Sequence, residues 1–486
     1  MDENTRIYTI FVSSGYGGAG ESPESLIANE DLLHELQSEC KGIDFIARDI
    51  TEPDTSLEEV YNELESSKGG LDGALIIGTT REYRLAFTGL PTIVVYNLFE
   101  WMNIPYKLFN TGKEGNSILV GGPDYEDGRI LTAELDRRNV TSTSVSQAMF
   151  EDLVDKIKLI QVMKKLKESK ILVVTPNRYL AQVDYQGDIH KHLPQDYNER
   201  YTHTLKESLG VEIVRVEPEE FYEAVKEADE EEAKEIASTW IDEAKEMTDT
   251  TESEVVKTAK SYLAFESLRE KYDCNAVSTH MRSLTGSGKV EDMFWPGLGL
   301  ECGFKTKGIQ AVCQNYPNIV VTQLLGYFLT GKPSMLGDLM IDTFNGVDIL
   351  THCGAPINPH GDDRVPYFIR SHAQSPVRGS LKPGSGTGLQ VELPLNEPVT
   401  IWKVYVLNKK IGLHTGETFD GHSLYKNLDE IMCRAKLMAK VDAEKVQKHY
   451  SPDEYGIHRA ATFGDLREKI KDSATLIGFD VIEEDR

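Results

Sequence analysis

The sequence between Cys313 and the C-terminus contains the residues best suited to chemistry. The stretch THCGAP, which contains His352 and Cys353, follows the apolar run 347–350. An imidazole and a thiol there either belong to an ordinary strand end or are delivered as ligands into a pocket. For a single histidine the ordinary interpretation is the more frequent one. The choice therefore depends on which other side chains reach the same place.

Other polar side chains also stand at the ends of apolar segments. Asp338, in GDLMID, opens the predicted hairpin, Cys313 and Gln314 follow GIQAV, and His458 lies within YGIHRAATFGD. In open α/β sheets, ligands bind beyond the carboxyl ends of the strands. A carboxylate and imidazoles that converge from separate strand ends suit a hard or borderline divalent cation such as Mn²⁺ or Mg²⁺.

Basic side chains from neighbouring segments are candidates for binding substrate oxygens. Arg370 and His372 come from YFIRSH, and Arg434 comes from CRAK. Arginine suits a carboxylated, phosphorylated or sulfonated substrate through bidentate contacts. Structural pairing within an acidic chain is the alternative for the arginines. Four further roles stay open: His372, His414 and His422 as surface residues, and Arg459 as a neutraliser of nearby acid.

Composition argues against nucleic acid and membranes as partners. The 486 residues include 79 acidic and 52 basic side chains, for a formal charge of −27, which opposes non-specific binding to phosphate backbones or anionic lipids. Six cysteines without a CxxC pair favour reduced thiols. The acidic N-terminus lacks the pattern of a signal peptide, and no run reaches the ~18 apolar residues of a membrane span. We therefore expect a cytoplasmic protein.

The elements that must position these residues follow two patterns. Short apolar segments such as IYTIFVS, GALIIG and KILVVTP alternate with helical stretches up to about residue 336, which predicts parallel sheets. The first strand is followed by the glycine-rich loop SSGYGGAG, but no acidic residue is placed convincingly at the end of a second strand, so no nucleotide cofactor is expected. In the acidic stretch 217–271, the residues Ile236, Trp240, Ile241, Ala244 and Met247 predict one surface helix.

Beyond residue 337 the pattern changes to strands separated by turns. Asn345-Gly346 between GDLMIDTF and VDILTHC is a strong hairpin signal. We expect an α/β protein with two doubly wound, Rossmann-like parallel-sheet domains, 1–169 and 170–336. A β-rich, barrel-like C-terminal domain, 337–486, should follow them.

Several of these strings resemble the L-fucose isomerase / L-arabinose isomerase superfamily, and most closely a fucose isomerase-like branch. They are GIQAVCQ, QLLGYFLTGKPSMLGDLMID, ILTHCGAP, PYFIRSH, CRAK and the terminal GIHRAATFGDLREKIKDSATLIGFDVIEED. The likeness is most specific from about residue 295 to the end, looser through the second domain and weak over the first 170 residues. It implies two α/β domains followed by a β-rich domain.

The resemblance also implies a metal site. In fucose isomerases a glutamate, an aspartate and a distant histidine hold a manganese-type ion, and the two carboxylates move protons between adjacent sugar carbons. Asp338 and His458 match the aspartate and histidine, and Gln314 stands in place of the glutamate. The expected ion is Mn²⁺, with Mg²⁺ or Co²⁺ as alternatives. Asp338 and Gln314 are the catalytic candidates; the substrate-binding candidates are His352, Arg370, His372 and Arg434.

Gln314 is the departure from the family pattern. An amide oxygen coordinates a metal, but it carries no charge and cannot serve as a general base. One interpretation is an enzyme that has lost its activity. The other is altered chemistry, in which Asp338 and a histidine share proton transfer.

The predicted function is that of a metal-dependent aldose–ketose isomerase acting on a sugar or sugar derivative. Two alternatives stay open, namely the same metal pocket used for lyase or epimerase chemistry, and a non-catalytic carbohydrate-binding protein. The resemblance further implies a homo-oligomer, either a trimer or a hexamer.

Overall fold

The computed structural model describes residues 4–12, 23–50, 56–77, 89–95, 130–133, 147–175, 195–280, 284, 297–372, 386–428, 433–450 and 456–486. The chain separates into two compact units. One comprises Met1–Lys165 and Glu468–Asp480, and the other comprises Leu166–Arg467 and Val481–Arg486. The candidate site residues belong to the second unit. The boundaries of the three expected domains stay a prediction.

The first unit contains a parallel sheet of five strands in the order β2-β1-β3-β4-β5. The strands are β1 (Thr5–Val12), β2 (Ile43–Ile50), β3 (Gly73–Ile77), β4 (Thr92–Val95) and β5 (Ile130–Ala133). The helices are α1 (Pro23–Glu39), α2 (Ser56–Ser67) and α3 (Gln147–Lys167). Buried, β-branched strands such as β4, TIVV, are typical of a parallel sheet. The glycine-rich loop 13–20 lies outside the described residues.

A second parallel sheet opens the second unit, with the strand order β10-β9-β6-β7. Its strands are β6 (Lys170–Val174), β7 (Glu212–Val216), β9 (Ala276–Thr279) and β10 (Gln310–Val312). Its helices are α4 (Tyr197–Leu209), α5 (Pro218–Glu227), α6 (Glu230–Glu243), α7 (Glu252–Lys271) and α8 (Pro317–Thr330). Pro317 occupies the first turn of α8, and Gly331, with φ 71°, ends it.

Seven strands form a sheet in the order β15-β18-β11-β12-β17-β16-β19, and β15 also pairs with β16. They are β11 (Met335–Asp342), β12 (Val347–His352), β15 (Pro398–Tyr405), β16 (Lys410–Thr418), β17 (Ala435–Lys440), β18 (His458–Phe463) and β19 (Asp480–Glu483). β11 and β12 form the hairpin that Asn345-Gly346 predicts, with Gly346 at φ 68°. Two helices lie in the same part of the sequence, α9 (Ala443–His449) and α10 (Arg467–Ile477).

A small sheet of three strands, β14-β13-β8, corrects one sequence prediction. Its strands are β8 (Glu246–Met247), β13 (Tyr367–Arg370) and β14 (Gly388–Val391). The surface helix predicted to continue to Met247 is α6, which ends at Glu243. Met247 pairs instead with Ile369. Met247 and Ile369 are more than 120 residues apart, so their pairing leaves no signal in the local sequence. Strand pairing in the folded chain overrides the helical spacing at this position.

The mixed α/β class with parallel sheets is confirmed. The barrel-like form of the C-terminal part stays a prediction. Within the described residues, no helix is both long enough and apolar enough to cross a lipid bilayer.

Candidate metal centre

Strand register brings three of the predicted residues together. β11 lies between β18 and β12 in the seven-stranded sheet. Asp338 is directly opposite His458 on β18 and directly opposite Thr351 on β12, and His352 follows Thr351. Opposite residues of antiparallel strands hold their Cβ atoms about 4.5–5.5 Å apart. The register therefore makes Asp338 a neighbour of both histidines.

The side chains of this group point at one another. His458 Nε2 lies 2.8 Å from Asp338 Oδ1, and the His458 side chain is 5 % exposed whereas that of Asp338 is 33 % exposed. One ligand atom from each of Asp338, His352 and His458 lies within 4.8 Å of the other two. A carboxylate with two imidazoles is a donor set for a borderline divalent ion such as Mn²⁺. Asp338 is the member of this set whose side chain reaches solvent most.

Gln314 is close in sequence to residues that contact the same group. Its backbone oxygen accepts a hydrogen bond from Ser278 Oγ at 3.0 Å. The residue before it, Cys313, contacts His352, and the Tyr316 ring centroid lies 4.0 Å from that of His458. Gln314 Oε1 is buried and accepts no hydrogen bond from the described residues. Such an oxygen costs about 1–3 kcal/mol, and a cation in contact with it would offset that cost.

Two thiols complete the surroundings of His352. Cys313 Sγ lies 3.6 Å from His352 Nδ1, Cys353 Sγ lies 3.4 Å from the same nitrogen, and the two sulfurs are 3.2 Å apart. The hydrogen bond with Cys313, together with burial, raises the pKa of the Cys353 thiol well above its ordinary value. The sequence singled out both thiols by their places just after β10 and β12, but neither was among the predicted site residues.

Glu301 is a second residue that sequence reasoning missed. It lies in a buried π-helical turn, Gly299–Phe304, and Lys305 Nζ lies 2.9 Å from its Oε2. A Cβ atom at Gly354 would approach Glu301 Cγ to 2.9 Å, so glycine is what allows this contact. Burial raises the pKa of the Glu301 carboxyl, while Lys305 and His352 act in the opposite direction. A single glutamate in an apolar run gave no sequence signal for this.

Arg370 and Arg434 contact the same carboxylate. Arg370 Nη2 lies 2.9 Å from Asp249 Oδ2, and Arg434 Nη2 lies 3.4 Å from it. Arg434 Nε also donates to the backbone oxygen of Ser371 at 2.9 Å. These contacts are structural pairs of the kind proposed as the alternative for the arginines. Their role in binding substrate stays a prediction.

The remaining histidines divide between interior and surface. His372 and His414 are buried, 2 % and 0 % exposed, so the surface interpretation is wrong for both. Burial, together with the positive charges of His352 and Arg434, lowers the pKa of His372 to about 3. His422 has a 57 % exposed side chain and pairs with Asp420, which fits the surface interpretation. Arg459 neutralises acid as expected, 3.2 Å from Glu484.

Comparisons with known proteins leave the family open. No family model matches the chain, and no curated protein matches it. One similar solved structure is an ABC transporter solute-binding protein from Burkholderia multivorans with an unknown ligand interpreted as α-D-erythrofuranose. It is 9 % identical and covers 67 % of this chain and 93 % of its own, with a TM-score of 0.19.

A second is an ABC transporter solute-binding protein from Bacillus halodurans C-125 with bound myo-inositol. It is 13 % identical and covers 60 % of this chain and 82 % of its own, with a TM-score of 0.18. Scores of this size establish neither a shared fold nor a shared ligand.

Proposed function

We propose that this protein is a metal-dependent aldose–ketose isomerase, or a closely related enzyme, acting on a sugar or sugar derivative in the cytoplasm. The observation that carries the proposal is the convergence of Asp338, His352 and His458, whose ligand atoms lie within 4.8 Å of one another. The resemblance of the same segments to fucose isomerases supports it independently. The proposal includes the finer features of that family, a barrel-like C-terminal domain and a homo-oligomer.

The residues present fit a divalent ion. Asp338 and His458 would hold it, with Gln314 Oε1 as a neutral ligand and His352 as a further contact. The buried, unpartnered Gln314 oxygen is the kind of atom that a cation satisfies. Mn²⁺ suits this mixture of oxygen and imidazole donors best, with Mg²⁺ or Co²⁺ as alternatives. When bound, such an ion supplies Lewis-acid polarisation of a carbonyl and its neighbouring hydroxyl.

Asp338 is the candidate base. In the forward reaction its carboxylate removes the proton from the carbon next to the carbonyl and returns it to the adjacent carbon, while the hydroxyl proton moves between the two oxygens. His458, 2.8 Å away, fixes the orientation of the carboxylate. Gln314 cannot accept a proton, so its part is limited to coordinating through its oxygen and donating a hydrogen bond through its amide nitrogen.

Glu301 provides the ionisable carboxyl that position 314 lacks. Its charge acts on His352, and the charge of His352 acts on Glu301 in return. Cys353 and Asp338 raise the pKa of His352 more than Glu301 does, so Glu301 serves as a positioning residue that contributes to the charge of His352. Glu301→Gln should change the pH profile of turnover more than the affinity for substrate. A purely structural role would lower stability and leave that profile where it is.

The two alternatives use the same pocket. Lyase or epimerase chemistry would keep the metal ligands and proceed without aldose–ketose interconversion. A carbohydrate-binding protein would keep sugar recognition without turnover, and the neutral Gln314 favours it because one half of an acid/base pair is missing. Deuterium exchange at the sugar C–H separates the three. Metal with exchange supports isomerase, metal without it supports other chemistry, and sugar binding without either supports a binding protein.

The decisive experiment combines Mn²⁺ binding with exchange. The protein is loaded with Mn²⁺, and a panel of aldoses and ketoses is incubated with it in D₂O. We expect metal-dependent incorporation of deuterium in the wild type and its loss in Asp338→Asn. Asp363→Asn, at an exposed position, is the matched control. Absence of Mn²⁺ binding at saturating ion would overturn the proposal.

A further inference from the structure

Cys313, Cys353 and His352 form a second group of ligand atoms that the isomerase proposal does not use as a set. One ligand atom from each lies within 4.8 Å of the others, and all three residues are buried. Both sulfurs lie near the same nitrogen, His352 Nδ1, at 3.6 and 3.4 Å. Two sulfurs and one imidazole nitrogen are soft to borderline donors, unlike the carboxylate of Asp338.

We propose that Cys313, Cys353 and His352 form a distinct binding site for a thiophilic divalent ion of the zinc type, next to the Asp338–His458 pair and sharing His352 with it. The inference goes beyond the proposed function, because its ligands are sulfurs that sugar isomerisation does not require.

The distances fit a tetrahedral ion with one small movement. Zinc bonds of about 2.3 Å to sulfur and about 2.0–2.1 Å to nitrogen place the two sulfurs about 3.8 Å apart and each sulfur about 3.5 Å from the nitrogen. The sulfur–nitrogen distances already have these values. The sulfurs are 3.2 Å apart and must separate by roughly half an ångström. Three protein ligands leave the fourth position open.

Charge balance favours the same occupant. On binding, each thiol gives up its proton to solvent and becomes a thiolate, so that two negative charges meet a double positive charge. The resulting centre is neutral, and a buried neutral centre avoids the cost of an uncompensated charge. Cys313 follows β10 of the parallel sheet, whereas His352 ends β12 of the seven-stranded sheet and Cys353 follows it. An ion there would link these two sheets.

Sharing His352 has a consequence that rests on the proposed function. When Nδ1 of His352 coordinates a thiolate-bound ion, that ion fixes the orientation of the imidazole ring. The ring can then no longer turn toward an ion held by Asp338 and His458. We expect Zn²⁺ to weaken Mn²⁺ binding at the neighbouring group.

Reduced protein titrated with Co²⁺ tests the proposal, because sulfur-to-cobalt charge transfer absorbs in the near ultraviolet and carboxylate or imidazole ligands do not produce it. We expect one equivalent of Co²⁺ to generate the band in the wild type and Zn²⁺ to abolish it. Cys313→Ser and Cys353→Ser should each lose the band, and Cys274→Ser, a buried thiol outside the group, should keep it. Absence of the band from the wild type would overturn the proposal, whatever the folding of the variants.

Two further results separate this site from its alternatives. A wild-type mass two hydrogens below that of the reduced chain, prevented by Cys313→Ser, would assign the close sulfurs to a disulfide and overturn the proposal. In Asp338→Asn the cobalt–sulfur band should persist while Mn²⁺ binding is lost. Loss of both signals in a folded Asp338→Asn protein would contradict two distinct sites.

Discussion

Two histidine centres in the seven-stranded sheet differ in how their charges are balanced and in how far their acidic side chains are exposed to solvent. His414 Nε2 lies 2.6 Å from Asp348 and its Nδ1 lies 2.8 Å from Glu484, and none of these side chains is exposed. Arg459, also fully buried, lies 3.2 Å from Glu484. We call these four residues the closed network. Two carboxylates face two basic groups, so its charges balance within the protein.

The group of Asp338, His352 and His458, which we call the open centre, has no such closure. Its single carboxylate is 33 % exposed, and the buried oxygen of Gln314 beside it accepts no hydrogen bond from the described residues. Both centres contain buried histidines next to acidic side chains, which are the residue types that a sequence analysis selects as site candidates. What separates a candidate binding site from a structural network here is the exposure of its acidic side chain, 33 % for Asp338 and 0 % for Asp348 and Glu484.

Asp338→Asn should have the largest effect on the open centre. The amide carries no charge and cannot act as a base, so we expect Mn²⁺ binding to be lost and deuterium exchange to fall by about 10²–10⁴-fold. Isothermal titration with Mn²⁺ and NMR of the sugar measure these two quantities. Asp363→Asn should bind Mn²⁺ as the wild type does. Full activity in Asp338→Asn would remove the distinction between the two centres.

His414→Ala should have the largest effect on stability. It leaves Asp348 and Glu484 buried without one of their partners, which costs about 3–5 kcal/mol of unfolding free energy. Urea unfolding followed by circular dichroism measures the loss. Mn²⁺ affinity of the folded fraction should stay unchanged, and His422→Gln, at an exposed histidine, is the control. A loss of metal binding without destabilisation would reverse the roles assigned to the two centres.

The pH dependence should also separate the histidines. Burial opposes a charge on His414, but Asp348 and Glu484 outweigh it and raise its pKa to about 9. Since the folded-state pKa lies above the unfolded value of about 6.5, this stabilisation is complete below pH ~6.5 and is lost as the pH rises through 9. His372 acts in the opposite sense: its pKa of about 3 makes stability fall as the pH drops from ~6.5.

These two histidines alone therefore place the stability maximum near pH ~6.5. Imidazole NMR should find His414 protonated and His372 neutral at that pH. A neutral His414 there would contradict the charge balance of the closed network.

Gln314→Glu should give a moderate gain in Mn²⁺ affinity at the open centre. A carboxylate in place of the amide adds a charge for the ion, and we expect about tenfold tighter Mn²⁺ binding, or about 1.4 kcal/mol. Gln447→Glu, at an exposed position on α9, makes the same change in net charge away from the centre. Unchanged or weaker Mn²⁺ binding in Gln314→Glu alone would exclude position 314 from the coordination set.

Arg370→Ala should have the smallest effect. Its partner Asp249 is 40 % exposed and also contacts Arg434, so we expect a loss of at most about 1 kcal/mol in unfolding free energy. Thermal unfolding measures it. A fall in affinity for a charged sugar that exceeds this loss would assign Arg370 to substrate binding and would enlarge the open centre.

Local elements follow from the sequence alone. The hairpin at Asn345-Gly346 and the buried strands of the parallel sheets follow from turn residues and apolar spacing, which act over a few residues. The sequence also indicated Asp338, His352 and His458 by their places near strand ends and by the resemblance to fucose isomerases.

Which residues meet depends on the tertiary structure. The register of β11 against β18 places Asp338 opposite His458, although 120 residues separate them in sequence. Long-range packing likewise brings Cys313 beside Cys353 and buries His414 between two acidic side chains. It also places Met247 in a strand, although its spacing predicts a helix. Apolar spacing indicates which face of an element is buried, but it does not indicate which other element packs against that face. Metal sites and closed networks depend on that neighbour.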